Sequence, residues 1–391
     1  MKSLMWFRND LRIDDNPALR NACLESDEVH AIYIFSSKQN DLHNEANCKV
    51  EFIIENLRIL DQALSKINIP LTIIDSSGFD DNSDVILNLI KERSLNKVFW
   101  NNQFGKDEQK RDDLVISSFY ENDVKFSSYD EKVVYPPGSI RTGENKPYSV
   151  FTPFKKKWIE NFNLDLLDIE FKYLPKKRPS IESNTLSFDF KFKRNHSINM
   201  SIWPPGENYA RDRLESYLSE NIFRYSRDRN DPIIDGTSRI SPYLANGIIS
   251  PKRCILEALK INNFELDTGE KGVTKWIDEI IWREFYKNIM FCFPKVSQNK
   301  PFQEYTNNIK WRYEKSELDA WKNGNTGFPI IDSAMRQLKS EGWMHNRLRM
   351  VVAMFFTKNM LHDWRIGEEF FMQNLIAVSY THLTLPTILL V

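Results

Sequence analysis

The sequence lacks several features that would assign it directly to a class of protein. Its 53 basic and 54 acidic residues leave a formal net charge of −1, so any nucleic-acid site must be a local patch. The four cysteines are scattered without CxxC spacing, and we predict neither a disulfide framework nor a metal site. The N-terminus becomes charged too early for a secretory signal, and no apolar run approaches the roughly 20 residues that span a bilayer. We therefore expect a soluble, cytoplasmic, monomeric protein that does not bind membranes.

Aromatic residues, in contrast, are abundant. The chain has ten tryptophans, and six of them fall between residues 276 and 364. One interpretation is a large packed core, because tryptophan buries a large area. The other is a site that stacks on planar rings or moves electrons. Composition alone favours the core.

The order of the periodic segments predicts the domain organisation. Short β-branched or aromatic runs (SLMWF, VHAIYIF, LTIID, KVFWNN and VKFSSYD) alternate with helical stretches over residues 1–130, which predicts an α/β domain with a doubly wound, Rossmann-like parallel sheet. No GxGxxG follows the first strand, so this domain need not bind a dinucleotide in the usual way. Residues 131–205 are weakly periodic and rich in lysine and proline, which predicts a connector. Residues 206–376 are helical in pattern and predict an all-α domain.

The last segment, residues 377–391, has a different composition. It is uncharged and rich in threonine and β-branched residues, and no helix stop signal precedes it. A native edge strand is one interpretation. We expect instead a non-native ending that truncates the helical domain.

Three constellations in the helical region can carry chemistry. The first is the loop DGTSRISP at residues 235–242, where hydroxyls and free N–H groups before a helix suit a phosphate. Taken alone, it is better explained as an ordinary helix cap. The second is WIDEIIWREFY, in which Glu279, Trp282, Arg283 and Tyr286 lie on neighbouring rows of one helix. Glu279 and Arg283 have the spacing of an i,i+4 ion pair. We expect the segment to line a pocket for a flat heteroaromatic ring or an unstacked base.

The third constellation is WMHNRLRM at residues 343–350, which precedes an apolar run. Asn346 and Arg349 are i,i+3 neighbours, whereas Arg347 points about 100° away from Asn346. The two arginines therefore face different targets, and we assign no role to His345. Together, the three constellations suggest a large planar cofactor that carries a pyrophosphate.

Five motifs in order give the sequence a family resemblance. WFRNDLRIDDNPAL, DGTSRISPYLANG, WIDEIIWREFY, TGFPIIDSAMRQL and WMHNRLRMVVAMFFTKNMLHDWR together resemble the DNA photolyase/cryptochrome family, and most closely the class I cyclobutane-pyrimidine-dimer photolyases. The resemblance runs from residue 4 to about residue 376. It implies light-driven repair of pyrimidine dimers in DNA, by electron transfer from reduced FAD to a dimer flipped out of the duplex.

The resemblance also implies roles for individual residues. Catalysis would depend on Glu279, Trp282, Asn346 and Met350. DNA would be held by Arg229 and Arg347, together with Glu279, Trp282 and Asn346. FAD would be bound by Tyr225, Thr237, Ser238, Arg239, Ser241, Trp276, Glu279, Trp282, Arg283, Tyr286, Asn346 and Arg349.

Two further cofactor functions depend on the same resemblance. A tryptophan chain that photoreduces the flavin would include Trp364 as its middle member and Trp311 as its outer member, while the innermost member has no counterpart. A folate or deazaflavin antenna is a further expectation for the family. Where folate-binding relatives carry a glutamate, a cysteine and a lysine, this sequence has Gly105, Ser297 and Gln298, which do not support a folate.

Two alternatives stay open on the sequence. One is a cryptochrome-like blue-light receptor that binds FAD without repairing DNA. The other is an inactive, truncated photolyase, which only the composition of the tail supports. The residues Glu279, Trp282 and Met350 fit dimer repair better than the receptor.

Overall fold

The predicted α/β architecture is found between residues 2 and 129, where the strands of one parallel sheet alternate with helices. The computed structural model describes residues 1–167, 169, 174–192, 198–298 and 300–377. Within them, one parallel sheet has the strand order β3-β2-β1-β4-β5. Its strands are β1 (Lys2–Phe7), β2 (Glu28–Phe35), β3 (Leu71–Asp75), β4 (Lys97–Asn101) and β5 (Lys125–Tyr129). All five coincide with the predicted β-branched runs, and the parallel, doubly wound arrangement is confirmed.

Helices cover both faces of this sheet and make up most of the remaining described chain. They are α1 (Pro17–Glu25), α2 (Ser37–Leu42), α3 (Asn47–Lys66), α4 (Asn82–Arg93), α5 (Lys106–Glu121), α6 (Phe151–Glu160), α7 (Glu207–Glu220), α8 (Tyr225–Asp228), α9 (Ser241–Ala245), α10 (Pro251–Ile261), α11 (Lys271–Cys292), α12 (Lys315–Asn323), α13 (Pro329–Glu341), α14 (Asn346–Met354) and α15 (Trp364–Met372). Short 3₁₀ turns and a π-helical turn, Phe355–Asn359, connect some of them. The all-α character of the second half is confirmed.

The alternation of side chains along the central strands explains how the sheet is buried. Trp6 on β1 and Trp100 on β4 pack in the cluster that contains residues of α4 and α5. Phe7 and Phe99 belong to the larger cluster on the opposite face. Parallel strands that are buried on both faces have near-continuous apolar runs, as these do.

In the described part of residues 131–205, the predicted connector, there is one α-helix. Helix α6 packs on α11, with Phe154 against Phe285 at 5.2 Å between ring centroids. The Trp158 indole N–H donates to Glu284 Oε1 at 2.7 Å, and that carboxylate also accepts the backbone N–H groups of Val134 and Tyr135. The segment after β5 is therefore tied to the helical domain.

The two domains share buried contacts. The Arg12 guanidinium, 1% exposed, donates to the carbonyl of Gly247 and pairs with Asp15 and Glu131. Gly247 has a φ of +62°, and a Cβ there would collide with the backbone carbonyl of Asn9. Glycine is required at this approach because it tolerates the left-handed backbone and has no side chain.

The predicted tail begins at Ala377, which is buried, and its remaining residues 378–391 lie outside the described residues. Of the helices in the described part of the chain, none has the length and apolar character needed to cross a membrane.

Candidate functional site

A cavity of about 620 Å³ lies where the α/β domain meets α11 and α14. On the sheet side, its wall includes Asn9, just after β1, and Gln103 and Phe104, just after β4. The strand order reverses between β1 and β4, and open α/β sheets bind ligands at this switch point, beyond the carboxyl ends of the strands. The volume falls in the usual range for small-molecule sites.

The cavity brings together the residues that sequence reasoning assigned to FAD. They come from four separated segments and all line its wall: Tyr225, Thr237, Ser238, Arg239, Ser241, Trp276, Glu279, Trp282, Arg283, Tyr286, Asn346 and Arg349. The wall also includes Arg229, Arg347 and Met350, which were assigned to the lesion and the DNA strand. The residues assigned to the cofactor and those assigned to the substrate thus line one cavity.

The loop 235–241 is held in a fixed shape by its neighbours. Arg213 Nε donates to the Ser238 carbonyl at 2.9 Å, and Trp276 Nε1 donates to Ser238 Oγ at 3.3 Å. Arg239 has a φ of +48°; its Nε donates to Asp235 at 3.0 Å, and its guanidinium lies over the Trp343 ring at 4.8 Å. A non-glycine residue with positive φ persists only where surrounding contacts determine it.

On helix α11, Glu279 and Arg283 do not form the ion pair that their i,i+4 spacing would allow. Glu279 pairs with Arg229 rather than with Arg283, although both Glu279 and Arg283 line the cavity as expected. Arg283 donates to the carbonyls of Lys132 at 2.7 Å and Leu244 at 3.2 Å, and burial lowers its pKa. Because the guanidinium is enclosed by backbone acceptors, it is directed away from the carboxylate one turn earlier. The cation that pairs with Glu279 is instead Arg229, which directly follows α8.

Helix α14 separates its two arginines as predicted. The Arg347 guanidinium donates to Asn230 Oδ1 at 2.5 Å and contacts Met350 Sδ at 3.6 Å. Arg349 Nε donates to the Met344 carbonyl at 2.9 Å, and burial lowers its pKa to about 10. The ring of His345 caps the helix by accepting the Arg347 backbone N–H at 3.2 Å. A structural role therefore accounts for this histidine.

The two tryptophans predicted to transfer electrons lie outside the wall of the cavity. Trp364 is 9% exposed and begins α15, whose last residue, Met372, lines the cavity. Trp311 is half-buried, and the residue after it forms a parallel bridge with His362. The structure thus places the segments of Trp311 and Trp364 next to each other.

Sequence reasoning missed two lysines of the cavity wall. Lys132 is buried, and burial lowers the pKa of its amine to about 8. Burial and the charges of Arg283 and Lys132 lower the pKa of Lys287 well below its ordinary value. Among the residues that the structure describes, neither amine has a hydrogen-bond or ion-pair partner, although Lys287 lies 5.9 Å from the centroid of the Phe104 ring. No local pattern signals these lysines, because they meet only in the folded chain.

The three positions considered for a folate are divided between two places. Gly105 lines the cavity, and a Cβ there would collide with the carboxylate of Glu108, which also lines it. The Glu108 carboxylate thus lies where a side chain at position 105 would be. Positions 297 and 298 end the 3₁₀ turn Pro294–Gln298, and Gln298 is exposed and does not line the cavity.

Comparisons with known proteins agree with this geometry. Residues 3–177 match the family model described as DNA photolyase, and residues 276–383 match the FAD binding domain of DNA photolyase. The chain is 36% identical to the deoxyribodipyrimidine photo-lyase of Escherichia coli (strain K12) over 374 residues, which cover 95% of this chain and 78% of the relative.

Solved structures give the same picture of the fold. A bacterial class III photolyase from Agrobacterium tumefaciens superposes with a TM-score of 0.87 at 27% identity, covering 97% of this chain and 77% of the other. A cryptochrome from Synechocystis sp. PCC6803 superposes with a TM-score of 0.81 at 21% identity, covering 97% and 80%. The second likeness concerns the fold alone, which repair enzymes and cryptochromes therefore share.

Proposed function

We propose that this chain, which belongs to the DNA photolyase family, repairs cyclobutane pyrimidine dimers in DNA by light-driven electron transfer from reduced FAD. The observation that carries the proposal is the convergence of every assigned cofactor, lesion and DNA residue on one cavity. The two C–C bonds that join the pyrimidines carry no acidic proton and no leaving group, so side-chain acid–base or nucleophilic chemistry has little to act on there. A redox cofactor is needed for such a reaction.

The wall of the cavity fits the chemistry of FAD. Arg349 is a desolvated cation whose only protein acceptor, within the described ranges, is the Met344 carbonyl, so its remaining N–H groups suit a phosphate or a ring carbonyl. Thr237, Ser238 and Ser241 would supply hydroxyls to the pyrophosphate. Trp276 and Tyr286 would pack against the planar rings. When bound and reduced, FAD supplies the electron that opens the dimer on illumination.

The protein groups around the lesion would place and stabilise it. Trp282 offers an indole surface to an unstacked pyrimidine, and Asn346 offers an amide to its polar edge. Glu279 would accept a hydrogen bond from a pyrimidine N–H, and the paired Arg229 keeps its carboxylate in position. Met350 would contribute apolar contact. Photolyases are among the known base-flipping enzymes, which take the target nucleotide out of the duplex.

The DNA backbone would be bound by a local cationic patch. Arg347 and Arg229 lie at the same cavity, and both guanidiniums are already oriented, by Asn230 and by Glu279. Each phosphate contact releases condensed counterions, so affinity would fall with rising salt. The near-zero net charge of the whole chain is compatible with such a patch.

We assign Trp364 and Trp311 to the supply of electrons from the protein surface to the flavin. The bridge between Arg312 and His362 supports this assignment because it brings the two segments together. The greater burial of Trp364 supports its position nearer the cofactor.

We also propose that the sheet-side part of the cavity holds an anionic antenna chromophore. The support is chemical: the unpartnered amines of Lys132 and Lys287 favour an anion. Phe104 adds an aromatic surface. Glu108 supplies a carboxylate where position 105 has none, so a folate can be held through contacts other than those of the folate-binding relatives.

The repair proposal is tested with purified, FAD-loaded protein and an oligonucleotide that contains one thymine dimer. After chemical reduction of the flavin, blue light should remove the dimer, and the dark sample should keep it. Trp282→Ala should lose most of the repair, whereas Arg58→Ala, an exposed arginine remote from the cavity, should retain it. Protein that retains reduced FAD but leaves the dimer intact in the light would refute the repair proposal and leave the blue-light receptor and the inactive photolyase as the alternatives.

A further inference from the structure

Trp282 is stacked on an aromatic side chain that does not belong to the cavity wall. The rings of Phe151 and Trp282 lie 3.6 Å apart between centroids, with an interplanar angle of 9°. Trp282 lines the cavity, whereas Phe151 is not among its lining residues. One face of the indole is therefore covered from outside the cavity.

Other rings restrict the indole further. Phe285 meets it edge-on at 5.7 Å with an interplanar angle of 80°, and Tyr286 lies 5.4 Å away at 32°. A side chain surrounded in this way cannot change rotamer without displacing its neighbours. Of these three rings, Phe151 is the closest and the most nearly parallel to the indole plane.

Phe151 is itself held in place by the packing of α6 on α11. It is the first residue of α6, and further along that helix Lys155 pairs with Asp278 at 2.5 Å. The Trp158 indole N–H donates to Glu284 at 2.7 Å. These two polar ties flank Trp282 in sequence on α11 and fix the register between the helices. The first turn of α6 is thereby fixed beside the indole.

We propose that Phe151 is a positioning residue that holds the Trp282 indole ready to stack on a flipped-out pyrimidine. The inference rests on the proposed repair of dimers. An indole that is already ordered loses no further side-chain entropy when the base stacks on it. The dimer therefore binds more strongly than it would to a mobile indole. Undamaged duplex, whose bases stay paired, gains nothing from this order. Phe151 therefore increases discrimination between damaged and undamaged DNA.

The test is the affinity of FAD-loaded protein for duplexes with and without one thymine dimer, measured in the dark by fluorescence anisotropy. Phe151→Leu keeps an apolar side chain but removes the flat ring. It should weaken dimer binding about 3- to 10-fold, the effect expected for fixing one side chain on binding. Affinity for undamaged duplex and FAD content should not change.

Two further measurements separate positioning from general packing. Phe154→Leu alters the same helix without touching Trp282; it should lower the Tm and leave discrimination unchanged. In a Trp282→Leu background, Phe151→Leu should add less than about a twofold effect, because the ring it positions is gone. Equal effects of Phe151→Leu in the two backgrounds would overturn the proposal.

The remaining outcomes are also decisive. Wild-type protein that binds both duplexes equally would refute dimer recognition itself, whereas wild-type discrimination that survives Phe151→Leu would refute only the role of Phe151. If Phe151→Leu melts early or loses FAD, Phe151→Met, which is flexible and similar in volume, is measured instead. Loss of folding in both variants would overturn the proposal by making Phe151 a core residue.

Discussion

Replacement of Arg349 by alanine should release FAD without unfolding the protein. The guanidinium is desolvated, which lowers its pKa to about 10, and its protein acceptor is the Met344 carbonyl. One charge-assisted hydrogen bond contributes about 1.5–3 kcal/mol, so the Kd for FAD should rise roughly 10- to 150-fold. The measurement is a titration of apoprotein with FAD, followed by flavin fluorescence.

The stability of the ligand-free protein distinguishes this explanation from simple damage to the fold. Loss of the hydrogen bond to Met344 costs about 1 kcal/mol, and relief of a desolvated, unpaired cation offsets it. The free energy of unfolding of the Arg349→Ala apoprotein in urea should therefore stay within about 1 kcal/mol of wild type. Arg349→Lys keeps the charge but loses the planar fork, and should give an intermediate Kd.

Arg347→Ala is the matched comparison, since it removes the neighbouring arginine from the same helix. It should leave the Kd for FAD unchanged and weaken damaged-DNA binding. The slope of log K against log salt should become shallower by about 0.9 for each DNA phosphate that the variant no longer neutralises. If Arg347→Ala releases FAD and Arg349→Ala weakens DNA binding, the two faces of α14 have been assigned in reverse.

Three further changes test individual contacts. Burial raises the pKa of Glu368 from 4.5 to about 8, so the contribution of this one group to stability should fall between those pH values, by at most about 1.4 kcal/mol per pH unit. In urea unfolding at pH 5, 6.5 and 8, Glu368→Gln should therefore lose less stability with rising pH than wild type does, whereas Glu369→Gln, which alters an exposed neighbour, should follow wild type. Gly247→Ala should lower stability by about 1–3 kcal/mol in thermal melts, whereas Gly143→Ala, with open space around its Cβ, should not. Lys132→Met should raise the Tm of ligand-free protein by removing a buried, unpaired amine; a lower Tm would indicate a partner for that amine.

Local periodicity predicted the architecture well. Each β-branched or aromatic run in the first 130 residues became a strand of the parallel sheet. The signal was strongest for β1, β2 and β4, because strands buried on both faces require near-continuous apolar residues. The helical periodicity of the second half was equally informative. The predicted connector was less clear, since α6 is a single short helix; its apolar positions Phe151, Phe154 and Trp158 have helical spacing but do not identify α11 as the element they pack on.

The candidate site could be predicted only as far as its motifs extended. The residues that were assigned to a ligand within DGTSRISP, WIDEIIWREFY and WMHNRLRM all line the cavity. Lys132, Lys287 and Phe151 were missed because their importance arises from contacts between segments far apart in the chain. The partner of Glu279 could not be predicted for the same reason, since helical spacing offers Arg283, whereas the fold supplies Arg229 from 50 positions earlier in the chain.

The contacts that join the two domains have a consequence for how the chain folds. Phe52 of α3 packs on Tyr243 of α9 at 5.4 Å, the Ser250 hydroxyl donates to Asp15 at 2.9 Å, and one continuous apolar cluster extends from Phe7 to Trp276. Neither domain, produced separately, could keep these surfaces away from water. The two domains have distinct topologies but do not fold independently, and they should unfold in a single cooperative transition. A ligand held at their junction would then protect the N-terminal sheet as much as the distant helices, by raising the free energy at which the whole chain opens.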